Sequence, residues 1–345
     1  MRRAIFIIHF CLIFSSLQWG HAQTLGGSST FSFLKIPASP QLTALGDINL
    51  TVPSRDISLG SHNPSLLRPD MHGQVLASFN LMYASIRQLH AMGGFHHKRW
   101  ETEFAAGIQY LHYGEAIQTD PAGNVLGSFQ ASDYAVYLSA SRRYLERWRY
   151  GATLKMAQSQ YSIYRASGLL MDVGILYSDT ARLLHVGFLA RNMGFMTSTY
   201  AGEGEDLPFD LQLGVTKRLA GAPLQFSITA HRLHQFDILY QDTTFNMDNT
   251  GSAGEDGFFT NLFRHFVFAA QGFVGDKVEL TIGYNVLRRA ELSITNTANG
   301  LTGFSYGVGV TLPRLQVRYA GSQYQNGTSF HQFGLNVDLA GRKKR

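Results

Sequence analysis

The chain has 345 residues, 45% hydrophobic and 15% charged, with 35 glycines and a single cysteine. Its formal charge of +5 sits at the ends: Arg2 and Arg3 open the chain and four basic residues close it at 342–345, so residues 4–341 carry −1 and offer no basic stripe for nucleic-acid phosphates. Cys11 lies in the N-terminal apolar run, which leaves the rest of the chain without a disulfide framework or thiol chemistry.

Residues 1–22 read as a secretory signal peptide. Arg2 and Arg3 form a basic start, an apolar run extends from Ala4 to Phe14, and Gly20-His21-Ala22 places small residues before a cleavage site after Ala22. The run is too short for a membrane anchor, and no later stretch approaches the ~18 apolar residues that a spanning helix needs.

Residues 23–71 differ in texture: five prolines and no sustained period, yet Phe31, Phe33, Leu34, Ile36, Leu42, Leu45, Ile48, Leu50 and Val52 are too apolar for a disordered arm. The segment is expected to fill the lumen of the following domain as a plug. A periplasmic arm is the alternative. Within a plug, Asp47 and Asp56 would pair with inward cations such as Lys277, Arg314 and Arg318.

From residue 72 to 341 one amphipathic strand follows another. Through Lys277–Leu287, Val278, Leu280, Ile282, Tyr284 and Val286 interleave with Lys277, Glu279, Thr281, Gly283 and Asn285; through Arg314–Ala320, Leu315, Val317 and Tyr319 alternate with Arg314, Gln316 and Arg318. The same period of two runs through 209–216 and 224–231, and weaker versions begin near Gln74, Gln88, Glu101, Ala131, Trp148, Gly168, Arg182, Arg264, Phe304 and Ser329. A polar second face must be wet or salt-bridged, as in a barrel lumen. The count is about fourteen strands, and strands in hydrocarbon must close on themselves because an open edge finds no partner.

The joints near 97–100, 145–147, 179–181, 221–222, 275–276 and 313 are short, whereas 114–130, 194–207, 235–263 and 288–302 read as long loops. That asymmetry predicts an all-β fold: a transmembrane antiparallel barrel, integral to the outer membrane, with short periplasmic turns, long external loops and both termini on the periplasmic side. Residues 332–339 resemble a C-terminal barrel-insertion signal, followed by a basic tail at 342–345 that departs from it.

Chemistry-bearing motifs are weak. Gly303-Phe304-Ser305-Tyr306-Gly307 matches the serine-hydrolase elbow, but lies in an alternating strand with no helix after it. His96 and His97, or His231 and His234, would point to opposite faces of a strand and cannot readily share a metal. The acidic loop residues lack calcium-loop spacing and read as solvated. No enzyme, cofactor or metal is expected. The loops supply the candidate partner-binding residues: Glu203, Glu205, Asp237, Tyr240, Asp242, Phe245, Asp248 and Phe258.

Several motifs together resemble the PorV/PorQ family, relatives of the FadL outer-membrane transporters. In the plug segment these are Phe33-Leu34-Lys35-Ile36-Pro37, Ala44-Leu45-Gly46, Asp56 and Asn63-Pro64-Ser65-x-Leu67. Leu45, Gly46, Asp56, Asn63 and Pro64 mark its plug motif. Further on come Gly151-x-x-x-Lys155, Asp172-x-Gly174 and Arg191-Asn192-x-Gly194, and then Gly283-Tyr284-Asn285 and Arg288-Arg289-x-Glu291-Leu292, which point to the PorQ branch. Asp47 departs from the pattern where a second glycine is usual, and Ser65 replaces a common alanine. The resemblance implies a non-catalytic role in the type IX secretion system: membrane anchor for a PorZ-like surface protein, beside the PorU sortase and the PorV barrel, during attachment of cargo to lipopolysaccharide. The FadL relationship implies the alternative, transport of a hydrophobic small molecule.

Overall fold

Fourteen antiparallel strands close into one barrel in a computed structural model that describes residues 29–120, 122–200, 206–238, 257–292, 300–325 and 328–340. The strands are β1 (Gln74–Leu81), β2 (Arg87–His97), β3 (Thr102–Thr119), β4 (Val125–Tyr144), β5 (Trp148–Tyr161), β6 (Tyr164–Asp179) and β7 (Leu184–Ser198). They continue as β8 (Asp210–Arg218), β9 (Leu224–Ala230), β10 (Phe266–Val274), β11 (Val278–Asn285), β12 (Phe304–Thr311), β13 (Leu315–Gln325) and β14 (Thr328–Asp338). Each pairs with its sequence neighbours, and β1 seals the ring against β14 from Gln74 opposite Asp338 to Leu81 opposite His331. Every strand therefore has a partner on both sides, which a membrane interior requires. No helix among the described residues is long and apolar enough to cross a membrane.

The period of two decides which side chain meets which solvent. Leu280, Ile282, Val317, Leu213, Phe226 and Ile228 face outward and are exposed, while Thr281, Gln316, Arg318, Gln212 and Thr229 are buried inside. The outer face is thus an apolar band and the wall of the lumen is hydrogen-bonding, with Gln88, Gln109, Gln225, Gln271 and Gln332 all buried.

Two ends are distinct. One carries six turns of three to five residues, at 98–101, 145–147, 180–183, 219–223, 275–277 and 312–314; the other carries the long joints 199–209, 231–265 and 286–303, but also short ones at 82–86 and 162–163, so the asymmetry is less complete than the sequence suggested. The wall is also uneven, because β3 to β7 run 14–20 residues whereas β8 to β12 run only 7–9. The expected long loop at 114–130 is mostly strand. After a register shift between His112 and Glu115, β3 and β4 stay paired up to Thr119 opposite Val125, and Asp120 Oδ1 caps the tip by accepting from Ala122 N at 2.9 Å and Asn124 N at 2.8 Å. Above the apolar band both faces of a hairpin meet water, so the alternation that marks a strand in sequence disappears although the pairing continues. The same effect hides the first turn of β6, which begins at Tyr164 and not Gly168.

Residues 30–71 run inside the ring. Ser29 bridges Asp206 at the long-loop end, away from Gln74 and the short turns, so the segment descends the length of the barrel before β1 begins. It touches opposite walls on the way. Thr43 donates to Gln332 of β14, Asn49 Nδ2 donates to Ser227 Oγ of β9 at 2.9 Å, Thr51 and Thr216 of β8 share a hydrogen bond at 2.7 Å, and Pro64 abuts Gly151 of β5. Its apolar residues gather in three buried clusters, around Phe33, Leu45 and Ile57, packed on wall residues such as Leu170, Leu176 and Met92.

The expected ion partners need correction. Lys277 and Arg314 lie at exposed short turns, outside the lumen. Arg318 is buried as expected, with Nε 2.8 Å from Asp56 Oδ2 and Nη1 donating to Glu279 Oε2 at 3.1 Å. Asp47 pairs instead with Arg288, which sits in the helix Val286–Glu291 above β11, in a stretch that the sequence reading assigned to a loop. The signal peptide at 1–22, the tail at 342–345 and the loop residues Glu203, Glu205, Tyr240, Asp242, Phe245 and Asp248 lie outside the described residues.

The backbone of the inner segment comes close to the wall at Gly283, where an added Cβ would stand 2.4 Å from Gly46 N and 2.6 Å from Ala44 O. Gly283→Ala is therefore expected to lower the unfolding midpoint of the heat-modifiable barrel on gels, by overpacking of about 1–3 kcal/mol. Gly93→Ala, whose new methyl would meet only Gln74 O at 3.9 Å, serves as the neutral control.

Candidate functional site

The plug-motif residues turn out to be structural supports. Leu45 is fully buried. Gly46 and Asp47 both take left-handed backbone, with φ of 91° and 76°, which explains why glycine suits either place and makes Asp47 a strained choice. Asp56 caps the turn Ile57–Ser61 by accepting from Ser58 N at 2.9 Å, besides facing Arg318. Asn63 Oδ1 accepts from Ser65 N at 3.0 Å and Oγ at 2.8 Å, while Nδ2 donates to Leu50 O at 2.8 Å, and Pro64 follows as the first residue of a single helical turn. Ser65 thus uses its hydroxyl on Asn63.

Where the inner segment meets the long-loop end, the barrel leaves a cavity of about 740 Å³. Its floor is Asp47 and Ile48; its sides come from β7 and the start of β8; its roof comes from residues after β9 and from the helix Val286–Glu291. A bulge shapes the β7 side. The β6–β7 register slips between Met171 and Val173, Asn192 adopts φ of 57°, and Arg191 and Asn192 both reach inward although they are consecutive. Asn192 is held from three directions: its N–H donates to Asp172 Oδ1 at 2.8 Å, its Oδ1 accepts from Lys155 Nζ at 2.9 Å, and its Nδ2 donates to Pro208 O at 2.9 Å. Lys155 in turn lies 2.5 Å from Asp172 Oδ2, so a buried ion pair fixes the bulge. Arg191 Nε is buried without a hydrogen-bond partner.

Beside Arg191, at the start of β8, Asp210 organises the residues that reach the roof. Its Oδ1 accepts from Arg232 N and its Oδ2 from Gln212 Nε2, each at 2.6 Å. Arg232, itself at φ of 52°, extends Nη1 to within 3.8 Å of Glu291 Oε1. Burial, helped by nearby Arg232, lowers the pKa of Lys35, and burial raises that of Glu291 against the opposing pull of Arg232 and Lys35. His231 is pushed down to about 4 by burial, so it is neutral at physiological pH.

Arg288 joins this cavity wall to the inner segment. Its Nη1 donates to Asp47 and to Ser322 Oγ at 2.7 Å, and its Nη2 donates to Gly303 O at 2.9 Å and to Ser305 Oγ at 2.7 Å. Tyr324 lies beneath the guanidinium at 5.0 Å and donates to Asp47 at 3.1 Å. Ser305, the serine of the elbow-like sequence, is thus a buried wall residue within β12.

Of the expected loop residues, Asp237 and Phe258 are described, and Phe258 is exposed in the helix Phe258–Arg264. The cavity residues Lys35, Arg191, Asp210, Arg232 and Arg288 were not singled out as a site in the sequence. The one signal that could have marked them was the consecutive polar pair Arg191-Asn192, which breaks the alternation in a wall strand.

No family model matches this chain, and no curated protein matches it in sequence. Among solved structures, the TodX monoaromatic hydrocarbon channel in a deltaS2 mutant form matches with a TM-score of 0.50 at 11% identity, covering 88% of this chain and 98% of that one. The CymD monoaromatic hydrocarbon channel gives 0.49 at 12% identity over 89% and 97%, and the KdgM porin 0.36 at 4% over 77% and 99%. At such identities the likeness is one of fold alone, that of an outer-membrane β-barrel.

Removing the Arg288 guanidinium would strand a buried carboxylate and two hydroxyls. Arg288→Met is expected to destabilise the barrel by about 3 kcal/mol, read as a lower thermal midpoint. Asp47→Asn in the same chain should recover part of that loss, because no uncompensated charge then remains; additive losses in the double-mutant cycle would show that the two residues do not interact.

Proposed function

We propose that this protein is an outer-membrane transporter of small, largely hydrophobic molecules, with its long-loop end outside the cell and its six short turns in the periplasm. The observation that carries this reading is the cavity at the long-loop end, whose volume falls in the range of about 300–1,000 Å³ found for small-molecule sites. Ile48, Phe195, Met196, Leu207, Phe209 and Leu287 give it an apolar side, and Lys35, Arg191 and Arg232 give it a polar one. A molecule with an apolar body could rest on the first and be oriented by the second. The fold shared with a monoaromatic hydrocarbon channel supports the same substrate class. The inner segment is then the barrier that must shift for passage, with Asp47 and Ile48 forming the cavity floor.

Cells producing the protein should take up a labelled monoaromatic hydrocarbon several-fold faster than cells carrying an empty vector. Ile48→Trp, which fills the cavity floor, should return uptake to the vector level while the barrel stays heat-modifiable. Equal uptake in all three strains would overturn this reading.

A second reading, the docking platform for a PorZ-like partner beside PorU and PorV in type IX secretion, is favoured by the resemblance and by one surface feature. Phe236 and Phe258 stack at 5.2 Å at the base of the longest loop, and both are exposed. If this reading holds, shortening residues 245–257 should leave a folded barrel from which the surface partner is lost on gentle detergent extraction, with hydrocarbon uptake unchanged. Co-purification at normal yield after the deletion would count against it.

A further inference from the structure

The low wall of the barrel carries a groove that the cavity does not involve. It lies between the helices Phe258–Arg264 and Val286–Glu291, has a volume of about 410 Å³, and is lined by Phe259, Phe263, Val286 and Ala290, with Arg264 and Arg289 beside them. Phe259 and Phe263 are 71% and 54% exposed, an arrangement that water alone would not favour.

Height explains what meets them. Strand β11 has 8 residues. At about 3.4 Å per residue and a tilt of about 40° it rises only about 20 Å, less than the ~25 Å apolar band of an outer-membrane barrel. The helix Val286–Glu291 starts at the very next residue after β11, and the helix Phe258–Arg264 ends two residues before β10 begins. Both helices therefore sit at the boundary between acyl chains and headgroups. The groove is also continuous with the lipid-facing surface: ring centroids step from Phe263 to Phe266 at 6.2 Å and from Phe266 to Phe268 at 6.1 Å, down the outward face of β10.

At that boundary the chemistry of the groove is two-part. Its floor is aromatic and aliphatic, and Arg289 is held at its edge by donating from Nη1 to Gly300 O at 3.1 Å and Thr302 O at 3.3 Å. A guanidinium fixed beside an apolar floor supplies the charge that a lipid phosphate pairs with. We infer that this groove is a binding site for one phosphate-bearing lipid of the outer leaflet, its acyl chain lying on Phe259 and Phe263 and its phosphate on Arg289. The choice of leaflet rests on the orientation proposed above; the site itself does not rest on transport.

Native mass spectrometry of the full-length protein tests the inference, with phosphatidylglycerol and a neutral glycolipid of equal chain length as probes. One phosphatidylglycerol per barrel should survive detergent activation that strips other lipids, in preference to the glycolipid. Phe259→Ser with Phe263→Ser should remove it, and Arg289→Gln should weaken retention about tenfold and abolish the headgroup preference. Leu154→Ser, on the lipid face of β5, should change nothing. Equal retention in the groove variants, no preference between the two lipids, or a second copy of the chain in place of lipid would each overturn the site. The leaflet is read separately. In a Cys11→Ser background, Phe258→Cys should react with an impermeant maleimide on whole cells and Asp276→Cys should not. The reverse labelling would overturn the outer-leaflet assignment and the proposed orientation together, while leaving the lipid measurement intact.

Discussion

Everything in this fold follows from the rule that a backbone amide in hydrocarbon must find its partner within the protein. The rule forces the strands to close, and closure through β1 and β14 turns half of all wall side chains inward. That interior is rich in glutamine, serine and threonine, and a polar side chain walled off from water costs free energy unless it is hydrogen-bonded. The segment 30–71 meets that demand. It brings Thr43 to Gln332, Asn49 to Ser227, Thr51 to Thr216 and His62 to Gln212, while its own leucines and phenylalanines pack in the spaces between.

Charge is used sparingly inside: among the described residues Glu103 pairs with Arg149 across β3 and β5, and three further sites tie down the lumen. Asp56 and Glu279 hold Arg318 near the short-turn end, Lys155 and Asp172 hold the β7 bulge, and Asp47 holds Arg288 beneath the cavity. A buried ion pair adds little net stability, since desolvation offsets the attraction, but it penalises any arrangement in which one partner is missing. The pairs are best understood as fixing where the inner segment lies. The pair Asp47–Arg288 differs from the others because its carboxylate sits on a left-handed residue at the cavity floor, so the turn most exposed to a ligand is also a strained one.

The uneven wall separates two surfaces of different chemistry. Strands β3 to β7 stand well clear of the membrane, whereas β8 to β12 end at its boundary and are topped by two short helices. The cavity opens between these halves, with Arg191 from the tall side and Arg232 and Glu291 from the low side. The low side also places the phenylalanines of the helix Phe258–Arg264 at lipid height, where exposed aromatic rings are ordinary components of a membrane girdle.

The sequence by itself determined the barrel, because hydrocarbon outside and polar contacts inside write the same period of two into every spanning segment. Stretches such as 277–287 and 314–320 show it residue by residue, although the first runs two residues past the end of β11 into a helix, and the count of about fourteen follows from repeating that reading. The resemblance in sequence drew attention to Leu45, Gly46, Asp56, Asn63 and Pro64, but only the structure shows the turns and caps these residues form. Above the membrane the period fails, so the extensions of β3 and β4 passed for loop, and the helix carrying Arg288 did too. The ion partners were decided only in three dimensions. Arg318 and Lys277 both fall on the polar face in sequence, but only the first lies deep enough to be enclosed; the second lies at a turn in water. The cavity was least legible of all. Its residues come from the inner segment, four strands, two joints and a helix, and only ring closure, with a bulge at Asn192, brings Lys35, Arg191, Arg232 and Arg288 around one space.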